Sequence, residues 1–280
     1  MRGTALVLGG GGPVGGAWMT GVLAGLADAG IEPGRADTVI GTSAGAIFGS
    51  RLASGEPARE LYERQLAGED RIDLKVSLPQ TLRFLWAALG SRDPERSVRR
   101  LGRAALAAHT GPEAEVVDTV RGLLRGAVDW PRRTALLITA VDASTGSVEA
   151  FDAAGSDLAL LEAVAASCAV PLVWPPVTLA GRRWMDGGSR STTNLQLARG
   201  YQRVLAVSPI PSAVGPHPSA QRQAAELAAE GADVTLLTPD PAARRAMGRD
   251  MTANARRADA ARAGHRQATA LADVDTMAAL

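Results

Sequence analysis

The sequence predicts an α/β fold with a largely parallel sheet, and three observations carry that prediction. The chain opens as strand, glycine loop, helix, second strand, sharp turn and helix: TALVLGG, a run of glycines, an apolar small-residue stretch over about 16–29, then DTVI leading straight into GTSAG. Two later buried-type strands, VLAVSPI (204–210) and DVTLLTP (233–239), are separated by a helical stretch, the connection a parallel pair requires. With 280 residues and 46% hydrophobic content, the chain can bury a full core as a single domain.

The elements follow in order. TALVLGG is a continuous apolar run, the pattern of a strand covered on both faces. After the elbow, 44–52 reads as a helix. No strand pattern occurs from about 56 to 124, so the region from about 56 to 130 is expected to be a helical insertion or lid. Within it, LPQTLRFLWAAL (78–89) and ERSVRRLGRAAL (95–106) carry apolar residues at three- and four-residue spacing. Leu82, Phe84, Leu85, Trp86 and Leu89 there stand beside Arg92, Arg96, Arg99, Arg100 and Arg103. The simpler expectation is that these helices cover the core and leave their arginines in water; the alternative is a lid or an interfacial patch. TALLITAVDAS (134–144) and SVEAFDA (147–153) predict one hairpin, and VTLAGRRWMDGG predicts another that turns at Ala180-Gly181. A short helix is expected near 195–199. The Pro-rich PIPSAVGPHPS is too short for a domain boundary, and the tail over about 241–280 reads as a polar, alanine-rich helix.

A formal charge of +1 gives no bulk attraction to nucleic acid, and no nucleic-acid partner is expected. Arginines 244, 245, 249, 256, 257, 262 and 266 cluster near the C-terminus, and Lys75 is the only lysine. Cys168, the single cysteine, rules out an intrachain disulfide and a cysteine-based zinc site. Glycines break the N-terminal apolar run, and no stretch has the length of a membrane span. The expected location is the cytoplasm, with peripheral membrane contact left open.

Three groups of residues point to chemistry. GTSAG, Gly41 to Gly45, fits the GxSxG nucleophile elbow, in which a strained turn exposes Ser43 and free amides of the following helix face an anion. The run Gly9 to Gly16 contains Gly10, Gly12 and Gly15 in a GxGxxG arrangement, which makes dinucleotide binding a rival reading. A dinucleotide site needs an acidic residue at the end of the second strand, where this chain has GTSAG instead; the same bare amides would serve an oxyanion hole. The third group is WMDGG, which places Asp186 at a strand end before Gly187 and Gly188. A plain Asp-Gly turn explains it equally well. The histidines tip that balance. His109, His217 and His265 each lie where a surface residue is expected, so a Ser43 nucleophile would need a carboxylate to take its proton. A Ser43–Asp186–His217 or His265 triad follows α/β-hydrolase chain order, but there the elbow comes after several strands.

GGGG at Gly9 to Gly12 with GAW and GVL after it, GTSAG, ASCAVPLVWPPV (166–177) and MDGG with Asn194 downstream together resemble the patatin-like phospholipase family. The motifs stand in the family's order from Leu6 to about Ile210. The resemblance implies a three-layer α/β/α sandwich and a Ser/Asp dyad, without histidine, metal or cofactor, that hydrolyses acyl esters of lipids. Ser43 would be the nucleophile and Asp186 the base. Gly10, Gly11, Gly12 and the Ala44 amide would form the oxyanion hole, with Gly41, Gly45, Gly187 and Gly188 as motif support. ASCAVPLVWPPV would brace the dyad from behind. The family's glycine loop carries an Arg or Lys before its helix, and this chain has Val14 and Gly15 there; the departure predicts low or altered activity, with a non-catalytic patatin-like relative as the alternative.

Overall fold

The computed structural model describes residues 2–72, 76–155, 158–213 and 215–272. Strand β1 (Arg2–Leu8) lies between β2 (Thr38–Gly41) and β7 (Tyr201–Val207), parallel to both. The sheet continues in parallel to β3 (Ala135–Asp142) beyond β2 and to β8 (Asp233–Leu237) beyond β7. Three short strands, β4 (Val148–Phe151), β5 (Val177–Leu179) and β6 (Arg182–Asp186), add antiparallel pairings. Pairing runs β5-β6-β3-β2-β1-β7-β8, with β4 also on β3. Both predicted hairpins form. The second turns at Ala180 and Gly181, whose φ values of 48° and 72° suit a tight turn matched to strand twist.

One edge of β3 is used twice. The Ala135 amide donates to Asp37 at the start of β2, and the Ala143 amide donates to Arg183 in β6. Amides an even number of residues apart in a strand point to the same side. Strands β2 and β6 therefore lie end to end along one edge and run toward each other, with Gly41 opposite Ile138 and Asp186 opposite Ala140. The segments that leave their C-terminal ends, GTSAG and DGG, are thereby forced together.

Helices cover both faces, giving the three layers. On the face carrying Leu6, Leu8, Val39 and Ile138 pack α1 (Gly12–Asp28), α2 (Ala44–Ala53), α3 (Ala58–Leu66), α6 (Glu113–Leu124), α7 (Leu160–Ser167), α9 (Pro241–Met247) and α10 (Arg257–Ala272). The other face, with Ala5, Val7, Val204 and Ala206, takes α8 (Ala220–Ala229) and a 3-10 turn at Leu195–Ala198 where the sequence predicted a short helix. At its far end α5 (Pro94–Leu106) sets Val98 and Ala105 against Val141 and Ala143.

Two elements depart from expectation. The polar tail is a core element: α10 buries Ala260, Ala261, Ala263 and Ala268, and packs so close to α1 that a side chain at Gly264 would land on the Trp18 carbonyl. The tail residues 273–280, like Lys75, lie outside the described residues. Helix α4 (Leu78–Leu89) was expected to cover the core, but it buries only Ala87 and Ala88 and turns Leu78, Leu82, Leu85, Trp86 and Leu89 outward. A capping box of Ser77 and Gln80 defines its start. Among the described residues, no helix is long and apolar enough to cross a membrane.

Candidate active site

Ser43 occupies the turn between β2 and α2 with φ 54° and ψ −119°, a conformation side-chain-bearing residues rarely hold. The turn is tight enough that a Cβ at Gly45 would strike the Leu8 carbonyl, and one at Gly41 would meet the backbone of Ala46 at 2.6 Å. Glycine is required at both places by contact with neighbouring backbone. The Ser43 amide donates to Ser167 Oγ at 2.9 Å, which ties the elbow to the end of α7.

Asp186 ends β6 and is 5% exposed. Its carboxylate accepts the Gly188 amide at 2.6 Å and has the Ser43 side chain beside it. Its own amide donates to Ala169 C=O at 2.9 Å. Burial pushes the Asp186 carboxyl up to about 6, with the Ser43 and Gly188 hydrogen bonds pulling the other way. The sequence-predicted pair, separated by more than half of the chain, is thus brought together at the facing ends of β2 and β6. No histidine takes part. His217, expected on the surface, is instead buried, and burial beside the Arg190 charge lowers it to about 4. His265, also expected on the surface, stacks on Tyr62 and binds Asp28 at 2.8 Å. Neither lines the cavity at Ser43, and among the described residues no group of His, Cys, Asp and Glu has a metal-binding arrangement.

The expected amide cradle is only partly available. The Gly10 amide donates to Thr192 C=O at 2.7 Å and cannot also hold an oxyanion, so its place in the set is corrected: Gly10 lets the loop approach, since a Cβ there would lie 3.2 Å from Ser43 Cβ. The amides of Gly11, Gly12 and Ala44 have no hydrogen-bond partner among the described residues. They stand at the first turns of α1 and α2, whose N-termini leave donors unsatisfied.

Sequence reasoning underrated one residue. Asn194, held at φ 53°, donates through Nδ2 to Thr42 Oγ1 at 3.1 Å, to Gly187 C=O at 3.3 Å and to Ser191 C=O at 2.8 Å. It clamps the elbow to the DGG turn, assisted by Thr139, whose hydroxyl meets Thr42 Oγ1 at 2.8 Å. An isolated Asn in a loop carries no such signal in sequence. Behind the pair, the 166–177 stretch supplies Ser167 and the Ala169 carbonyl, while Cys168, Val170 and Trp174 line the cavity.

That cavity has a volume of about 70 Å³. Its walls are mainly apolar, from Ile47, Phe48, Val116, Val120, Leu123 and Trp174; Gln65, Asp70 and Arg257 make one polar wall.

Residues 6–199, most of the chain, match the family model described as patatin-like phospholipase. The chain belongs to the patatin-like phospholipase family. That membership agrees with the layered α/β fold. Among solved structures, this patatin-like chain is similar to VipD from Legionella pneumophila, at 12% identity and TM-score 0.48, covering 98% of this chain and 67% of that one. It is also similar to the type III effector protein ExoU, at 14% identity and TM-score 0.42, covering 98% and 53%. A third match is the complex of full-length SpcU with full-length ExoU from Pseudomonas aeruginosa, at 16% identity and TM-score 0.38, covering 95% and 53%. The patatin-like chain spans about half the length of the ExoU chains. No curated protein sequence matches it.

Proposed function

We propose that the protein hydrolyses acyl esters of lipids with a Ser43–Asp186 dyad, as a carboxylic ester hydrolase that uses no histidine. The observation that carries this reading is that the facing ends of β2 and β6 bring Ser43, on its strained elbow, to Asp186, a carboxylate only 5% exposed. As Ser43 Oγ bonds to the ester carbonyl carbon, its proton passes to Asp186, and the amides of Gly11, Gly12 and Ala44 receive the negative oxygen. Collapse of that intermediate breaks the bond to the leaving alkoxide, which takes the proton from Asp186. A water then repeats the sequence: its proton goes to Asp186, its oxygen joins the acyl carbon, and Ser43 leaves with the proton returned. A serine hydroxyl is a weak nucleophile at neutral pH, so a base in contact with it is the minimum requirement.

Helix α4 gives this site a route to lipid. Its outward stripe follows helical spacing, and Trp86, 72% exposed, lies under the Arg100 guanidinium at 4.4 Å. A shallow bowl lined by Arg96, Arg99, Arg100 and Arg103 adjoins it. Apolar residues beside arginines suit insertion among anionic head groups. Gln80 at the start of α4 donates to the Leu172 carbonyl at 2.9 Å, between Val170 and Trp174 of the cavity wall. This fits a peripheral, membrane-facing protein whose single domain carries α3 to α6 as part of its body.

The experiment is hydrolysis of p-nitrophenyl esters of graded chain length and of lysophospholipids. Short acyl groups are expected to react best in the soluble assay, because a cavity of about 70 Å³ is far below the ~300 Å³ at which ligand pockets usually begin. Ser43→Ala should abolish turnover of every substrate. Hydrolysis that survives Ser43→Ala, or a wild type inert toward all of them, would remove the proposal.

A further inference from the structure

The glycine loop brings no cation to the site, yet the cavity contains one. Arg257, the first residue of α10, is 2% exposed and is the only cation among the described residues lining the cavity that holds Ser43. Its surroundings leave its charge unbalanced. Nε and Nη2 donate to Gln65 Oε1 at 3.1 and 2.6 Å, and Nη2 also reaches the Glu69 carbonyl; both acceptors are neutral. The nearby carboxylate, Asp70, is already taken, since Oδ2 accepts from Arg51 at 2.9 Å and Gln65 at 3.3 Å, and Oδ1 accepts from Arg125 at 2.6 Å. No carboxylate of the described residues lies within ion-pair distance of Arg257, whereas Arg51, equally buried, holds Glu56 and Asp70 together. Nη1 of Arg257 has no hydrogen-bond partner among the described residues, which leaves one arm of the fork unused. Keeping a guanidinium out of water without an anion is costly. Burial lowers its pKa, opposed by Asp70 and reinforced by Arg71.

We propose that Arg257 is a specificity residue that binds the anionic group of an acyl ester seated at Ser43, a phosphate-bearing lipid being taken in preference to its neutral counterpart. The inference rests on the hydrolase reading for the acyl group, and on Arg257 itself for the anion. Gly12 and Ala44 line the same cavity, but the hydrogen bonds of Arg257 go to Gln65 and Glu69 and not to Ser43, Asp186 or those amides. Arg257 therefore acts in binding: its loss should raise KM for anionic esters and leave kcat in place.

The test uses Ser43→Ala protein, which binds without turning over, and reads the fluorescence of the tryptophans, Trp174 among them in the cavity wall. The ligands are lysophosphatidic acid below its micellar concentration, the monoacylglycerol of the same chain, and inorganic phosphate. Lysophosphatidic acid is expected to bind about tenfold or more tightly than monoacylglycerol, the scale of one charge-assisted hydrogen-bond pair. Adding Arg257→Gln should erase that preference and leave monoacylglycerol binding unchanged. Inorganic phosphate alone should bind far more weakly than the lipid; equal affinity would mean a free-phosphate site and overturn the proposal. Equal affinity for the two lipids in Ser43→Ala alone would overturn it too, even if Arg257→Gln cannot fold. In wild type, Arg257→Gln should raise KM for lysophospholipid about tenfold with kcat held, and a loss of kcat shared by neutral esters would contradict the assignment. A binding preference without any hydrolysis would defeat the hydrolase reading and leave the anion site standing.

Discussion

Asp186 is where burial, hydrogen bonding and chemistry meet. Its carboxyl is displaced from 3.8 to about 6. A folded-state pKa raised above the unfolded value means that the group's contribution to stability is complete below about 3.8, declines as pH rises, and is gone above about 6. At pH 8 the protein therefore holds an ionised carboxylate in a dry site at a cost on the order of 3 kcal/mol. Asp186→Asn, which can still accept from Gly188, is expected to raise the melting temperature at pH 8 and to lose that advantage below pH 4, as thermal melts at the two pH values would show. The same change should lower hydrolysis at least ~10³-fold. The wild-type rate should rise with pH through about 6, since the base must be ionised. An ordinary histidine titrates near ~6.5, so that limb does not separate a dyad from a triad; replacement of all three histidines does. The strained backbone of Ser43 leads to a second expectation. Ser43→Gly should be about 1 kcal/mol more stable than Ser43→Ala by denaturant titration, with both inactive.

At the level of elements, α4 makes the clearest commitment. Replacing Leu82 and Trp86 together with Glu puts charge on a stripe that is 57% and 72% exposed at these residues, so cooperative melting and hydrolysis of a soluble ester should be unchanged. Sedimentation with vesicles rich in anionic lipid should fall at least ~10-fold, and undiminished binding would place the membrane contact elsewhere. This helix also shows what sequence could and could not reveal. Its three-and-four spacing identified the helix, but periodicity is the same whether an apolar face meets a core or a lipid surface. The parallel strands were legible because burial on both faces leaves an unbroken apolar run, and the hairpins because Gly-containing turns punctuate them. Ser43 and Asp186 were legible because glycines mark the turns that carry them. The end-to-end meeting of β2 and β6 along β3 was not, since nothing local in either segment specifies which edge it takes. Nor was the role of Asn194, or the loss of the Gly10 amide to Thr192, because both depend on chain segments brought together only by the fold.

For the molecule as a whole, the tail that reads as polar alanine-rich sequence completes the core. Helix α1 is buried from Pro13 to Leu26, and α10 supplies one of the surfaces that bury it. A chain ending after Asp240 would uncover Trp18, Val22 and the small-residue face around Gly21 and Gly25. Such a chain is expected to lose cooperative thermal unfolding and to bind a hydrophobic dye, although it keeps Ser43, Asp186 and the whole family-matched region 6–199. A sharp melting transition in the truncated chain would show that α10 is dispensable. The proposed dyad requires one alcohol held against one carboxylate beside unpartnered amides, and the most direct measurement is intact-protein mass after reaction with a fluorophosphonate. Wild type, and a variant lacking His109, His217 and His265, should each gain a single adduct on Ser43, and Asp186→Asn should gain none. An adduct that forms in Asp186→Asn, or that disappears with the histidines, would contradict the dyad.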